Sequence, residues 1–178
     1  MKVKEALLQF DVFLNKKGLS FEAVVIGAAA LVVMDVISRE TIDVDCLEPK
    51  IPEEILKAAA EFRNIHPEHK LTEKWINNGP HSLLRDLSKD WRTRIQIIFS
   101  GKALTLSTLG RADLLKTKLF AYCDRDDDLM DCLAMKPTSA ELDRCYEWVA
   151  ARDANPMWPE HVRKYFDLLK KRLGHDVG

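Results

Sequence analysis

The stretch from Phe21 to Leu47, FEAVVIGAAALVVMDVISRETIDVDCL, constrains the fold more than any other part of the chain. Glu22 to Gly27 is short, apolar and β-branched, which predicts a buried strand. Gly27 to Val36 (GAAALVVMDV) is small and apolar, which predicts a helix packed close to that strand. Gly27 lets the backbone turn tightly between the two. Thr41 to Leu47 then alternates: Ile42, Val44 and Cys46 point one way, and Thr41, Asp43 and Asp45 point the other. A chain with this opening has to build a sheet with one buried face, and it offers two carboxylates on the second face.

The remaining segments extend that core. Ala6, Leu7, Phe10, Phe13 and Leu14 recur at helical spacing within Lys4 to Lys16, and Gly18 can end that helix. Pro52 sits at a favoured first helical position, before a helix running to about Ile65. His66 to Pro80 is polar and reads as loop, with a short helix at Thr72 to Asn77. Ser82 to Trp91 fits no single pattern. Arg94 to Phe99 alternates, with Ile95, Ile97 and Phe99 on one face and Arg94, Gln96 and Ile98 on the other. Gly101 and Lys102 make a turn into Ala103 to Ser107, which predicts a hairpin. From Gly110 the pattern is helical: Ala112 to Asp124, Asp127 to Met135, Thr138 to about Arg152, and a last helix from Pro159. Thr138 opens its helix with a capping box completed by Glu141. The expected architecture is α+β: a small mixed sheet with flanking helices over residues 1–109, then a helical half over 110–178.

Composition narrows the function classes. Of 178 residues 47% are apolar, and the formal net charge is -1. That fits a soluble globular protein with a real core and no overall nucleic-acid footprint. No apolar run is long enough to predict a membrane span, and the amphipathic N-terminus lacks a signal-peptide core, so a cytoplasmic location is expected. Cys46, Cys123, Cys132 and Cys145 show no CxxC spacing, which argues for reduced, buried thiols. His66 and His69 lie in a loop segment, HPEH, with no further metal ligands in the pattern, which argues against zinc.

Asp43 and Asp45, at i and i+2 on one strand face, place their Cβ atoms on the order of 7 Å apart. Like charges at that spacing repel. A hard divalent cation such as Mg²⁺ relieves the repulsion and shares its oxygen ligands between protein carboxylates and substrate phosphates. The plain alternative is an exposed strand end whose acids face water or pair with Arg39.

A strand ending in Ile26-Gly27-Ala28, a small-residue helix, and Asp43-Val44-Asp45 together resemble the opening of the nucleotidyltransferase superfamily with the polymerase-beta-like fold. Trp91-Arg92-x-Arg94, Asp113-Leu-Leu-x-x-Lys118, Arg125-x-x-Asp128-x-x-Asp131, Pro137-Thr138, Trp148 and Asn155-Pro-x-Trp158 resemble a bacterial nucleotidyltransferase-like family. That family is largely uncharacterised and is related to abortive-infection toxins of toxin–antitoxin systems. The resemblance covers about residues 20 to 174. It implies Mg²⁺ on Asp43 and Asp45, phosphates of a nucleoside triphosphate at Gly27 and Ala28, and transfer of a nucleoside monophosphate to a hydroxyl. The acceptor would be a small molecule, a tRNA end or a protein, and a toxin or antitoxin partner is implied as well. Ala28 replaces the usual second Gly or Ser.

Such enzymes carry a third acid on a neighbouring strand. On the strand Arg94 to Phe99 the face open to the pair carries Gln96 or Arg94 in that position and no carboxylate. Glu48 or Asp90 could substitute from elsewhere. A catalytically degenerate binding protein of the same fold is therefore the second reading. Lys118 lies at a buried helix face, where a charge is costly without a partner. It reads either as a phosphate ligand or as a lysine snorkelling from the core edge. Arg39 either balances the acids or meets a triphosphate. Arg125, Asp128 and Asp131 read as surface charges, or Asp128 as the residue that orients Lys118. Trp148 and Trp158 read as core anchors.

Overall fold

The computed structural model describes residues 2–175. Two compact units divide the chain, Met1–Gly110 and Arg111–Gly178.

The first unit is a five-stranded mixed sheet with helices on its apolar face. The strands are β1 (Phe21–Ile26), β2 (Val44–Glu48), β3 (Ile76–Asn77), β4 (Gln96–Ser100) and β5 (Leu104–Thr108), in spatial order β3-β2-β1-β5-β4. β1 runs antiparallel to β2 and parallel to β5, β2 runs parallel to β3, and β4 and β5 form the antiparallel hairpin. The helices are α1 (Lys2–Lys16), α2 (Gly27–Val33) and α3 (Glu53–Ile65).

The core follows from the alternation. Phe21, Ala23 and Val25 of β1 share one face with Val44 and Cys46 of β2, and Ala29, Ala30, Ile55 and Ala59 cover it from the helices. Small side chains on α2 let its axis come close to the sheet. At the far end Phe10 meets Trp75 edge-on at 5.0 Å between ring centroids and Phe62 at 5.2 Å. The indole of Trp75 donates to the Ala59 carbonyl at 3.1 Å, so its N–H is satisfied in the core. Asp11, on α1, takes the backbone N–H groups of Ala103 (2.7 Å), Leu104 (2.8 Å) and Lys102 (3.1 Å). Burial opposes its charged form, but those three donors prevail and hold its pKa below the ordinary value. One carboxylate thereby pins the β4–β5 turn to α1.

Three local expectations are corrected. Thr72 to Asn77 is not helical; it leads into β3, a strand of two residues. Strand β2 starts at Val44, so Asp43 lies one residue before it. In β4 a register shift between Ile97 and Phe99 breaks the alternation. Ile95 and Ile97 are exposed, and Ile98 and Phe99 both pack on the core. A bulge adds a residue to one strand and reverses the facing beyond it, which period-two reading cannot anticipate.

The second unit contains α4 (Arg111–Arg125), α5 (Leu129–Ala134), α6 (Ser139–Ala150) and α7 (Trp158–Arg172). The capping box is present: the Thr138 hydroxyl accepts from the Glu141 backbone N–H, and the Glu141 carboxylate accepts from the Thr138 N–H. Trp158 is buried and donates to the Val149 carbonyl at 2.9 Å, tying α7 to α6. Trp148 is half-buried and lies under the Arg152 guanidinium. All four cysteines are buried and free, and burial pushes Cys46 up to about 12. No helix among the described residues is long and apolar enough to cross a membrane.

Candidate functional site: a glycine turn against an acid pair

The site begins at the end of β1. Ile26 pairs with Asp45, and the chain turns at Gly27 into α2 with φ +78°. That left-handed backbone favours glycine. Space requires it too: a Cβ on Gly27 would lie 2.7 Å from Asp45 Oδ2. The turn and the carboxylate therefore occupy one spot, and any side chain at residue 27 would displace one or the other. Ala28 follows, half-buried in the first turn of α2.

Both acids are half-buried and are oriented by the segment that leads into β3. The Thr72 hydroxyl donates to Asp43 Oδ1 at 2.7 Å. Asn77 stands opposite Asp45 in the β2–β3 ladder and donates its amide N–H to Asp45 Oδ1 at 3.1 Å. The other end of that amide is also fixed, because Asn77 Oδ1 accepts from the Gly79 backbone N–H at 2.7 Å. Asn78 extends the clamp, donating to the carbonyls of Cys46 and Pro49, both at 3.0 Å. Sequence reasoning missed Thr72 and Asn77. The available signal was the pair Asn77-Asn78 before Gly79 and Pro80, residues that stabilise a turn through their side chains.

Glu48 joins the same face through a bulge. Val25 pairs with Cys46, but Val24 pairs with Glu48, so Leu47 is the extra residue. Directly opposed residues share a face, and Val24 shares one with Ile26, so Glu48 shares one with Asp45. Its carboxylate is gripped by Arg92, Nε to Oε1 at 2.9 Å and Nη2 to Oε2 at 2.5 Å.

Gln96 and Arg94 are placed elsewhere. Gln96 is on β4, the edge strand, with β1 and β5 between it and β2. Three strand spacings amount to roughly 14 Å, so the sheet does not bring Gln96 to the acids. Arg94 is bound locally, to Asp90 Oδ2 at 2.6 Å and Ser88 Oγ at 2.7 Å. Arg39 is exposed, in the segment between α2 and β2.

In the helical unit, Lys118 is buried and its ammonium donates to Asp128 Oδ1 at 2.6 Å and Asp131 Oδ2 at 2.7 Å. Arg125 reaches the second oxygen of Asp128 at 3.2 Å. Lys118 is thus held by two carboxylates of its own unit.

The donor set at Asp43 and Asp45 suits a hard cation: carboxylate oxygens, oriented by a hydroxyl and an amide, beside a backbone turn that has no Cβ. Neither a curated protein nor a solved structure matches the chain. The family model described as nucleotidyltransferase of unknown function (DUF6036) matches residues 4–150. That span includes β1, the Gly27 turn, both acids and the Thr72–Asn77 segment, and the chain belongs to this family of nucleotidyltransferases.

Proposed function

We propose that the protein transfers a nucleoside monophosphate from a nucleoside triphosphate to a hydroxyl acceptor, with Mg²⁺ held by Asp43 and Asp45. The observation that carries this reading is the 2.7 Å approach of a hypothetical Gly27 Cβ to Asp45 Oδ2. A bare backbone turn against a carboxylate lets a phosphate and its cation reach both at once.

The acceptor oxygen bonds to the α-phosphorus as its hydroxyl proton passes to solvent, the bond from that phosphorus to the bridging oxygen breaks, and pyrophosphate leaves. Asp43 and Asp45 would hold the Mg²⁺, which would supply charge neutralisation at the phosphates. The protein's part is positioning and electrostatics. Thr72 and Asn77 hold the acids at fixed angles, so little reorganisation is needed when the ligand arrives. Gly27 and Ala28 present backbone to the phosphates, and exposed Arg39 is the cation we assign to the triphosphate. Lys118, already shared by two carboxylates, is left out of this assignment. The acceptor is a small molecule, a tRNA end or a protein side chain. Incubation with each α-labelled triphosphate and a cell extract tests the proposal. Label should enter an acceptor when Mg²⁺ is present and stay out with Asp45→Asn; no transfer from any of the four nucleotides would sink it.

A second reading, a nucleotide-binding protein without transfer activity that acts with a toxin or antitoxin partner, is favoured by Asn77. This residue stands across the ladder from Asp45, where a carboxylate would complete a set of three acids, and it brings no charge. Asn77→Asp separates the two readings. Transfer gained from none in the native protein would mark the native protein as a binder, whereas native transfer that the substitution leaves unchanged or reduces favours the enzyme.

A further inference from the structure

A second group of donors lies at the end of α3, independent of the acid pair. His66 ends that helix, and Pro67–His69 form a single 3-10 turn. The turn brings donor atoms of His66, Glu68 and His69 within 4.8 Å of one another. His66 Nδ1 is 2.9 Å from Glu68 Oε1, and His69 Nε2 is 4.0 Å from that same oxygen. A fourth donor comes from α1: Gln9 Oε1 is 3.0 Å from His69 Nε2.

We propose that His66, Glu68 and His69, with Gln9 as the fourth donor, form a binding site for one divalent transition-metal ion of the zinc class. Tetrahedral zinc with bonds of about 2.0–2.1 Å needs neighbouring ligands roughly 3.3 Å apart. The separations of 2.9 and 4.0 Å straddle that value and the three groups all lie within 4.8 Å of one another, so their ligand atoms are gathered near the spacing zinc requires. Two imidazoles and a carboxylate form a nitrogen-and-oxygen set that suits zinc and is poorly matched to Mg²⁺. Orientation is already supplied. The side chain of His69 is 3% exposed and its ring stacks on Phe62 at 5.9 Å, while His66 lies against the same ring at 4.5 Å. Glu68 is 59% exposed, which leaves an entry path on the solvent side. The ion would join α1 to the end of α3, just ahead of the segment that carries Thr72 and Asn77. Its role there would be structural, a staple on that segment.

Calorimetry on the full chain with ZnCl₂, in excess Mg²⁺ to occupy oxygen sites, tests the assignment. One equivalent should bind, and Co²⁺ at the same site should give the intense visible bands of a tetrahedral complex. His66→Ala should weaken zinc binding at least tenfold. Because a histidine change can perturb packing against Phe62, Glu68→Ala, at an exposed position, provides the second arm and should also weaken binding severalfold. Asp43→Asn should bind zinc as the native chain does, which keeps this result separate from the fate of the nucleotide site. No zinc binding, or affinity unchanged in both His66→Ala and Glu68→Ala, would overturn the proposal.

Discussion

Two pairs of aspartates in this chain have opposite settings. Asp128 and Asp131 are buried, 5% and 2% exposed, and they share the ammonium of Lys118 at 2.6 and 2.7 Å. Asp43 and Asp45 are half-buried; a hydroxyl and an amide orient one oxygen of each, and a glycine turn lies against Asp45. In the helical unit the cation is part of the chain, which makes the cluster a folding device. In the sheet unit the pair lies at a glycine turn and is oriented by neutral donors, and it is this pair that we propose as the cation site. Residue type does not separate these roles. What separates them is the setting the fold gives the carboxylates: a buried lysine shared by Asp128 and Asp131, and a hydroxyl, an amide and a glycine turn at Asp43 and Asp45.

Removing the built-in cation should have the largest effect. Lys118→Met keeps the volume but removes the ammonium that two buried carboxylates share, and stability should fall by about 3–5 kcal/mol. Urea melts followed by helical circular dichroism would measure it. A loss below about 1 kcal/mol would mean that the aspartates rehydrate or protonate cheaply, and the contrast between the pairs would collapse.

Gly27→Ala should cost less stability, about 1–3 kcal/mol for the left-handed backbone and the collision with Asp45. It should nevertheless abolish nucleotide binding. A variant that melts lower and still binds would break the link between the turn and the site.

The smallest effect concerns acid. Glu141 in the helical unit accepts from the Arg111 guanidinium at 2.8 Å and from the Thr138 backbone N–H, and these hold its pKa at about 2 rather than 4.5. A carboxylate depressed in the folded state contributes stability above its unfolded value and loses it as pH falls through the folded one. Glu141 should therefore stabilise fully above about pH 4.5 and lose that contribution between pH 4.5 and 2. Arg111 is half exposed, so the pair is worth no more than about 1 kcal/mol. Glu141→Gln should lower stability at neutral pH by up to about 1 kcal/mol, leave stability near pH 2 nearly unchanged, and so flatten the acid limb over that window. An unchanged limb would mean that the Arg111–Glu141 pair contributes nothing measurable to stability.

Periodicity revealed much of this architecture. The alternation of Thr41 to Leu47 already separates the core side chains Val44 and Cys46 from Asp43 and Asp45, and Thr138 with Glu141 marks a helix start that the structure contains. What stayed hidden has physical causes. A strand of two residues, Ile76–Asn77, is too short to show any period, so the amide that orients Asp45 lay inside an apparent loop. Two register shifts reversed facing that alternation had assigned: one exposes Ile97, and the other turns Glu48 toward the Asp45 face. The strand order β2-β1-β5-β4 carried Gln96 away from the acids, because strand pairing is a long-range choice and the hairpin's own pattern does not record it. The burial of Lys118 was legible from helix spacing, and Asp128 was one reading for its orienting partner, but Asp131 was not, since the turn between α4 and α5 sets it.

Asp43 and Asp45, at the Gly27 turn, are the residues we propose to bind nucleotide through Mg²⁺. Nucleoside triphosphate titrations followed by thermal denaturation test this most directly, with and without Mg²⁺, on the native chain and on Asp43→Asn. At about 100 times its dissociation constant a ligand adds about 2.7 kcal/mol of stability. The native chain should gain this with at least one triphosphate in Mg²⁺ and lose it in chelator, and Asp43→Asn should gain little in either. Equal stabilisation of both proteins, or stabilisation that ignores Mg²⁺, would contradict the account.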